Sequence, residues 1–454
     1  MRARVVAAGL AMIFVVAACG NSESAKTSDE PTGTTVPGGI QPVSEADQKK
    51  NVPIDEEGVT DTEIGVAVIT STTNIIGGRY AEYADGIQAY FDYVNSQGGL
   101  YGRQFKILKH RDDQMLNNQA TVKASLSQDK AFATFNAGPV FSGATDLAAA
   151  KQPTFIWNIN PEMIGKTNIF GSIPAICFKC EGQASPFLAK SQGVKTVGVL
   201  AYGSTPSSKE CGSTAKKAFE KYGESKVGFF DNNVTYAQPD LSSQVSGMKK
   251  AGVEMVFICM DGKEAIVLGK EIKRQNLDAV MSLPNAYDEE YIRDNADVLE
   301  GSFVAPQFVP FEKEPQLPEH ELIREWVGKL DNGSGKTIRE LTVEGWAMAA
   351  LFVHGLKLAG PEFDKQKLIS SLNQETNWTA NGLKVPQDWT KGHKDPYENP
   401  EARGEWNCGS ILKVEGGKLV PVLDEPGKPW VCTGPDSDPV LTETPTYESF
   451  APTK

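Results

Sequence analysis

Histidine is scarce in this chain. Only His110, His320, His354 and His393 occur among 454 residues, and none lies in H-E-x-x-H or another metal-holding spacing. The other common signatures of chemistry are missing too. Ser142 has Val140 two residues before it, where the serine-hydrolase elbow needs Gly. Gly333-Ser334-Gly335-Lys336-Thr337 imitates the end of a phosphate loop, but Leu330 stands where its first Gly belongs, and the segment joins two predicted helices instead of following a strand. A dinucleotide fingerprint is absent. Asp112 and Asp113 are adjacent carboxylates, yet neighbours on a strand point to opposite faces, which argues against an acid/base pair. No catalytic residue, metal or cofactor is therefore expected.

Positive charge is in short supply as well: 45 Lys and Arg against 58 Asp and Glu, for a formal net charge of −13. Nucleic acid wants a basic face, so it is excluded as an expected partner. The one long apolar run near an end, Val5 to Val16, is too short for a comfortable membrane span. Arg2 and Arg4 precede it and Ala17-Ala18-Cys19-Gly20 follow, the layout of a secretory signal over residues 1–18. Val16-Ala17-Ala18-Cys19 resembles a bacterial lipobox, in which the Cys thiol is acylated and becomes the mature N-terminus. The alternative is an ordinary signal peptide with a chance Cys. Residues 19–58 are rich in Ser, Thr, Pro, Gly, Glu and Lys, the composition of a disordered tether. The expectation is a soluble body whose only membrane contact is a lipid on Cys19.

Setting Cys19 aside leaves six cysteines, an even number that in an exported chain reads as disulfides. Order along the chain favours Cys408 with Cys432 across a Gly- and Pro-rich hairpin region, and more weakly Cys177 with Cys180 and Cys211 with Cys259. A lone C-x-x-C is also compatible with redox chemistry or half a zinc site, although no second pair completes one.

About 400 residues follow the tether, enough for two or three domains. Ile64 to Thr70 is a continuous apolar, β-branched run of the kind buried on both faces of a parallel sheet. Tyr83, Ile87, Phe91 and Val94 then recur at helical spacing, Gly98 and Gly99 stop the helix, and Phe105 to Lys109 forms the next strand ahead of Asp112 and Asp113. Strand–helix alternation continues through Ala131–Asn136 and Pro153–Ile159. It begins afresh with strands Thr196–Tyr202, Gly228–Asn232, Met255–Met260 and Val280–Leu283. This predicts parallel sheets with helices on both faces.

The wording IGVAVI, a polar loop, GIQAYFDYVNSQGGLYGR and a strand ending in paired aspartates resembles the opening of the type I periplasmic solute-binding proteins of the branched-chain amino acid class. The late segment LTVEGWAMAALFVHGLKLAG, with Gly345, Trp346 and Ala347, is similar to that family's Gly-aromatic-Ala helix. The likeness runs from about Glu63 to about Leu383.

It implies an α/β fold of two doubly wound parallel-sheet lobes joined by a three-crossing hinge. Lobe 1 takes residues 59–178 and 303–378; lobe 2 takes residues 179–302 and 379–454. Crossings are expected near Ile173–Glu181, at Phe303–Phe311, whose prolines argue against a central strand, and from Asn381 onward. The implied function is capture of a small polar solute and its delivery to the permease of an ABC importer, by a monomer. A periplasmic enzyme on the same two-lobed fold, or the ligand-sensing subunit of a receptor, are the rivals.

Ligands in open parallel sheets sit beyond the carboxyl ends of strands, which gives the candidates. Ser71 and Thr72 follow the first strand, and Tyr80 lies just ahead of the first helix. Ser142 follows Gly138-Pro139, where the family holds its solute, although a plain helix cap explains it equally. Asn158 and Asn160 end a strand with Trp157, itself open to a core reading. The resemblance implies a carboxylate with aromatics for an ammonium group; Asp261, Tyr202 and Tyr287 fit that role, with Asn285 where an acidic partner would be expected. Trp346 faces either the cleft or the underside of lobe 1. An amino acid or a related small amide or carboxylate is the expected solute.

Overall fold

The computed structural model describes residues 42–157, 159–173, 176–333, 335–402, 407–423 and 430–433. The signal, Cys19 and most of the tether, Asn158, Ser334, Trp406 and the chain from 434 onward lie outside the described residues. All described elements fall within one compact unit, residues 37–452.

Strand β1 (Glu63–Thr70) is buried along nearly its whole length, as its unbroken apolar run requires. It lies between β2 (Gln104–Asp112) and β3 (Ala133–Ala137). β4 (Thr154–Ile156) and β5 (Ile169–Gly171) complete a parallel sheet in the order β2-β1-β3-β4-β5. β5 has only three residues, too few to show a period, and sequence reasoning does not find it.

The helix Glu82–Ser96 ends where Gly98 and Gly99 take positive φ, and the Gly99 N–H returns to the Val94 carbonyl at 3.0 Å. A side chain at Gly99 would meet the Arg103 carbonyl at 2.0 Å. Arg103 is itself fully buried and donates to the carbonyls of Thr60, Val52 and Tyr101, so the Gly-Gly…Gly-Arg wording fastens the segment before β1 to the sheet. The helix Glu340–Ala359 crosses Glu82–Ser96 backbone against backbone. A Cβ on Gly86 would meet the Thr342 carbonyl at 1.9 Å, and one on Gly345 the Tyr83 carbonyl at 2.1 Å. Bulk at either position would force the helices apart.

The second sheet has the order Lys418–Pro421, Leu412–Glu415, Phe303–Val304, Val280–Leu283, Met255–Cys259, Thr196–Tyr202, Lys226–Val234. β6 (Thr196–Tyr202), β7 (Lys226–Val234), β8 (Met255–Cys259), β9 (Val280–Leu283) and β10 (Phe303–Val304) run parallel. β11 (Asn407–Gly409) pairs with β14 (Val431–Thr433) apart from it, while the hairpin β12 (Leu412–Glu415) and β13 (Lys418–Pro421) joins the second sheet antiparallel through β10. Phe303 and Val304, read from sequence as part of the return crossing, are thus an interior strand of the second sheet. Their run is only two residues long and ends before Pro306, so the prolines do not interrupt the ladder.

The chain passes between the sheets three times: after β5, after β10, and after the helix Lys365–Leu372. The last passage starts later than its sequence suggests. Trp389 and His393 pack on Phe170, and Gln387 donates to the Ser172 carbonyl, so this stretch stays against the first sheet before β11. The second and third passages are joined by Val309 N–H to the Leu383 carbonyl and by Ser410 N–H to the Pro306 carbonyl.

Cys177 is bonded to Cys180 and Cys211 to Cys259. Cys408 is disulfide-bonded too, and the residue opposite it in the β11–β14 ladder is Cys432. Cys211–Cys259 ties the helix Pro206–Tyr222 to the carboxyl end of β8 across 48 residues of chain. Loop closure of that size is expected to contribute about 4 kcal/mol, and the three-residue separation of Cys177–Cys180 less than half as much. Urea unfolding of the Cys211→Ser/Cys259→Ser double variant should show the larger loss; an unchanged midpoint would refute it.

Candidate functional site

The loops beyond the carboxyl ends of β1 and β4 meet those beyond β8 and β9. Tyr80, 2% exposed, donates its hydroxyl across this junction to Asp261 Oδ1 at 3.2 Å, and its ring lies 5.8 Å from that of Trp157. Nearby, the ammonium of Lys263 reaches the Ile75 carbonyl at 3.3 Å. Residues from the two sheets thus close on one another at the place where parallel sheets expose backbone and side chains to a ligand.

Asp261 occupies the N-cap position of the helix Gly262–Arg274, yet its side chain caps nothing. Its carboxylate is used sideways, on Tyr80 and on Asn285, whose φ of 51° turns the loop after β9 toward it. Solvent reaches a little of Asp261, but the protein packed around the carboxyl group dominates: desolvation raises it to about 7 against the pull of the Tyr80 hydrogen bond, with the Glu264 charge adding to the rise. Glu264 is 1% exposed. Its Oε2 accepts the Tyr202 hydroxyl at 2.5 Å, and that same hydroxyl oxygen accepts the Asp261 N–H at 3.1 Å. The Tyr236 ring lies 4.5 Å from that of Tyr202, tilted by 58°, and Tyr291 donates to the Gly262 carbonyl at 2.8 Å. The result is an acidic pair walled by aromatic rings.

Beside it runs a second junction between the sheets. Arg339, the N-cap residue of Glu340–Ala359, is buried and forks to Asp288 Oδ2 at 2.8 Å, Glu82 Oε1 at 2.6 Å and Glu290. Arg79 approaches the same acids from outside, at 3.4 Å from Asp288. Burial lifts Glu82 to about 7 although Arg339 and Arg79 oppose it. Glu340, half-buried, is lifted to about 8 by desolvation of its carboxyl group and by the Glu344 charge, against the Tyr287 N–H that it accepts.

The sequence candidates divide. Tyr80, Tyr202, Asp261 and Asn285 come together here, and Trp157 joins them. Asn160 is buried next door, its amide 3.4 Å from the Gly138 carbonyl. Ser71 is buried at the end of β1, but its hydroxyl is spent on Asp113 at 2.7 Å. Thr72 turns outward to Thr70, and Ser142 is exposed and accepts the Gln119 N–H. Tyr287 belongs to the hinge: its hydroxyl donates to Glu312 and accepts from Phe311 N–H. Trp346 is fully buried under the first sheet, donating to Glu319 at 2.6 Å between Tyr90 and Tyr93, so it does not face the cleft. Asn158 lies outside the described residues. Glu264, Tyr236 and Arg339 were not found from sequence. For Glu264 a signal existed, an acid three residues after Asp261 on the first turn of a helix.

Asp261 and Glu340 hold protons in the folded protein that the unfolded chain releases. The stability they contribute is complete below the ordinary carboxylate range and lost as pH rises through about 7 to 8. Asp261→Asn cannot ionise, so at pH 8 the ligand-free variant is expected to melt above the parent protein, with a smaller gap at pH 5 that closes only below the ordinary carboxylate range. The rise at Asp261 is worth at most about 4 kcal/mol, reduced to about 2 kcal/mol by the solvent that reaches it. Melts at both pH values check this; a parent protein at least as stable at pH 8 would contradict it.

The sequence profile of the family described as "Periplasmic binding protein" matches residues 63–398. Among solved structures, a branched-chain amino acid ABC transporter protein from Thermus thermophilus with bound valine aligns with a TM-score of 0.63 at 17% identity, over 80% of this chain and 96% of that one. A fatty acid ABC transporter substrate-binding protein from Thermomonospora curvata gives 0.63 at 18%, over 86% and 97%. A solute-binding protein from R. palustris in complex with 4-hydroxybenzoate gives 0.64 at 18%, over 80% and 96%. No curated protein sequence matches the chain. These likenesses share the fold, and the profile covers the first sheet and strands β6 to β10 of the second: the chain belongs to the periplasmic binding proteins, of type I.

Proposed function

We propose that this protein is an extracytoplasmic solute-binding lipoprotein that captures a small polar solute between its two lobes and delivers it to an ABC importer permease. The observation that carries the reading is the Tyr80–Asp261 contact, which brings an aromatic wall and a desolvated carboxylate from opposite sheets to one point. Family membership and neighbours that carry valine or 4-hydroxybenzoate support it. Tyr80, Trp157, Tyr202, Asp261 and Asn285 are the residues proposed to hold the solute, an amino acid or a related small amide or carboxylate. Anchoring rests on the Ala17-Ala18-Cys19 junction and the polar segment behind it. No described helix is long and apolar enough to cross a membrane, and a lipid on Cys19 supplies the attachment.

A thermal-shift screen of the purified mature protein tests capture: a bound solute at about 100 times its Kd should stabilise by roughly 2.7 kcal/mol. It should remain chemically unchanged and bind one to one. Small-angle scattering at saturation should report a smaller radius of gyration; turnover of the solute, or an unchanged radius, would count against the proposal.

The anchor has its own test. Cys19→Ala is expected to release the protein from membranes or block its maturation. A variant that is processed as before and stays in the membrane fraction would refute lipidation.

A further inference from the structure

The charge balance of the cleft narrows the solute. Asp261 and Glu264 lie together with no lysine, arginine or histidine paired to either among the described residues, and Glu264 Oε1 is buried without a hydrogen-bond partner. The nearby cations are all committed elsewhere. Arg79 and Arg339 hold Glu82, Asp288 and Glu290; Lys384 holds Glu344 at 2.5 Å; Lys263 reaches the Ile75 carbonyl at the exposed rim. The first turn of Gly262–Arg274 offers about half a positive charge. Even with Asp261 partly protonated near neutral pH, the acidic pair exceeds it.

The side chains that would receive a solute carboxylate are engaged or turned away. The Ser71 hydroxyl donates to Asp113, while Thr72, beside Thr70, and Ser142, which accepts the Gln119 N–H, stand on the exposed side. Against this stand the rings of Tyr80, Trp157, Tyr202 and Tyr236, whose π faces attract cations.

We infer that the cleft recognises its solute through a cationic ammonium group, held by Asp261 and Glu264 within the aromatic walls, and requires no carboxylate on it. The solute class is an amine or alkylammonium compound. The inference rests on the solute-binding reading and narrows it. Glu264 Oε1 is the acceptor left for the ammonium, and the Tyr202 hydroxyl, bonded to Glu264 and to the Asp261 N–H, fixes the two carboxylates in register.

Matched probes test it by calorimetry on the mature protein: 3-methylbutylamine, leucine and 4-methylpentanoate, which carry the amine alone, both groups, and the carboxylate alone, together with putrescine and choline. At least one carboxylate-free cation should bind as tightly as leucine or tighter, and 4-methylpentanoate should not bind. Asp261→Asn and Glu264→Gln should each weaken that cation at least tenfold, with circular dichroism and melting checking that each variant is folded; should Glu264→Gln fail to fold, Asp261→Asn alone carries the test. Leucine binding without any of the cations, or binding of 4-methylpentanoate alone, would overturn the cationic class while leaving solute capture intact. If the cations fail while glucose or adenosine binds, the class falls in the same way. Failure of every probe, those two included, would overturn both.

Discussion

Removal of the Asp261 carboxylate from water is the constraint around which the two lobes are arranged. A bare carboxylate buried against aromatic rings costs several kcal/mol unless something answers its charge, and here the answers are partial: one phenol from the opposite lobe, one amide from Asn285, and the end of its own helix. Closing the lobes strips the remaining water and so raises the cost. A solute group that supplies the missing hydrogen bonds or charge reverses the sign of that step. Capture and closure are then one equilibrium, in which a ligand shifts the population only by the difference in its affinity for the open and closed forms.

The Arg339 junction works in the other direction. One buried guanidinium gathers acids from both lobes, Glu82 from the first and Asp288 and Glu290 from the second. Opening would separate Arg339 from two of its partners. Buried pairs of this kind return little net stability once desolvation is counted, and Glu82, lifted to about 7 in spite of its neighbours, shows that desolvation is not fully offset. In the proposed capture, a preference for closure at Arg339 would oppose the penalty at Asp261, so that a solute need supply only the difference.

Much of this was legible in the sequence. Uninterrupted β-branched runs identified the inner strands, because burial on both faces leaves no polar position. Gly98, Gly99 and Arg103 marked a joint whose atoms leave no room for alternatives. Asp261 was singled out from its place at a strand end, and the structure sets it opposite Tyr80. What failed was side-chain direction. Ser142 and Thr72 follow strands as a binding residue should, yet a turn of the loop sends both outward, and nothing in their neighbours' identities encodes that turn. Trp346 lies on a helix buried on nearly every side, where periodicity carries no information about which neighbour a ring will meet. Phe303–Val304 was lost to its prolines, since a two-residue strand leaves no pattern to set against them.

The same packing decides which parts can move. Gly86 and Gly345 let two helices of the first lobe touch along their backbones, and Cys211–Cys259 fastens β8 two residues before Asp261, so each lobe presents its part of the site from a stiff base. The passages between the sheets remain to bend, and the second and third of them are tied to each other by the Val309–Leu383 and Ser410–Pro306 hydrogen bonds. Tyr287 links the loop after β9 to Phe311 and Glu312 in the second passage. Motion there must therefore carry Asn285, two residues away, and with it one of the hydrogen bonds to Asp261. The hinge and the proposed solute site share a loop, so bending there would change the surroundings of the Asp261 carboxylate.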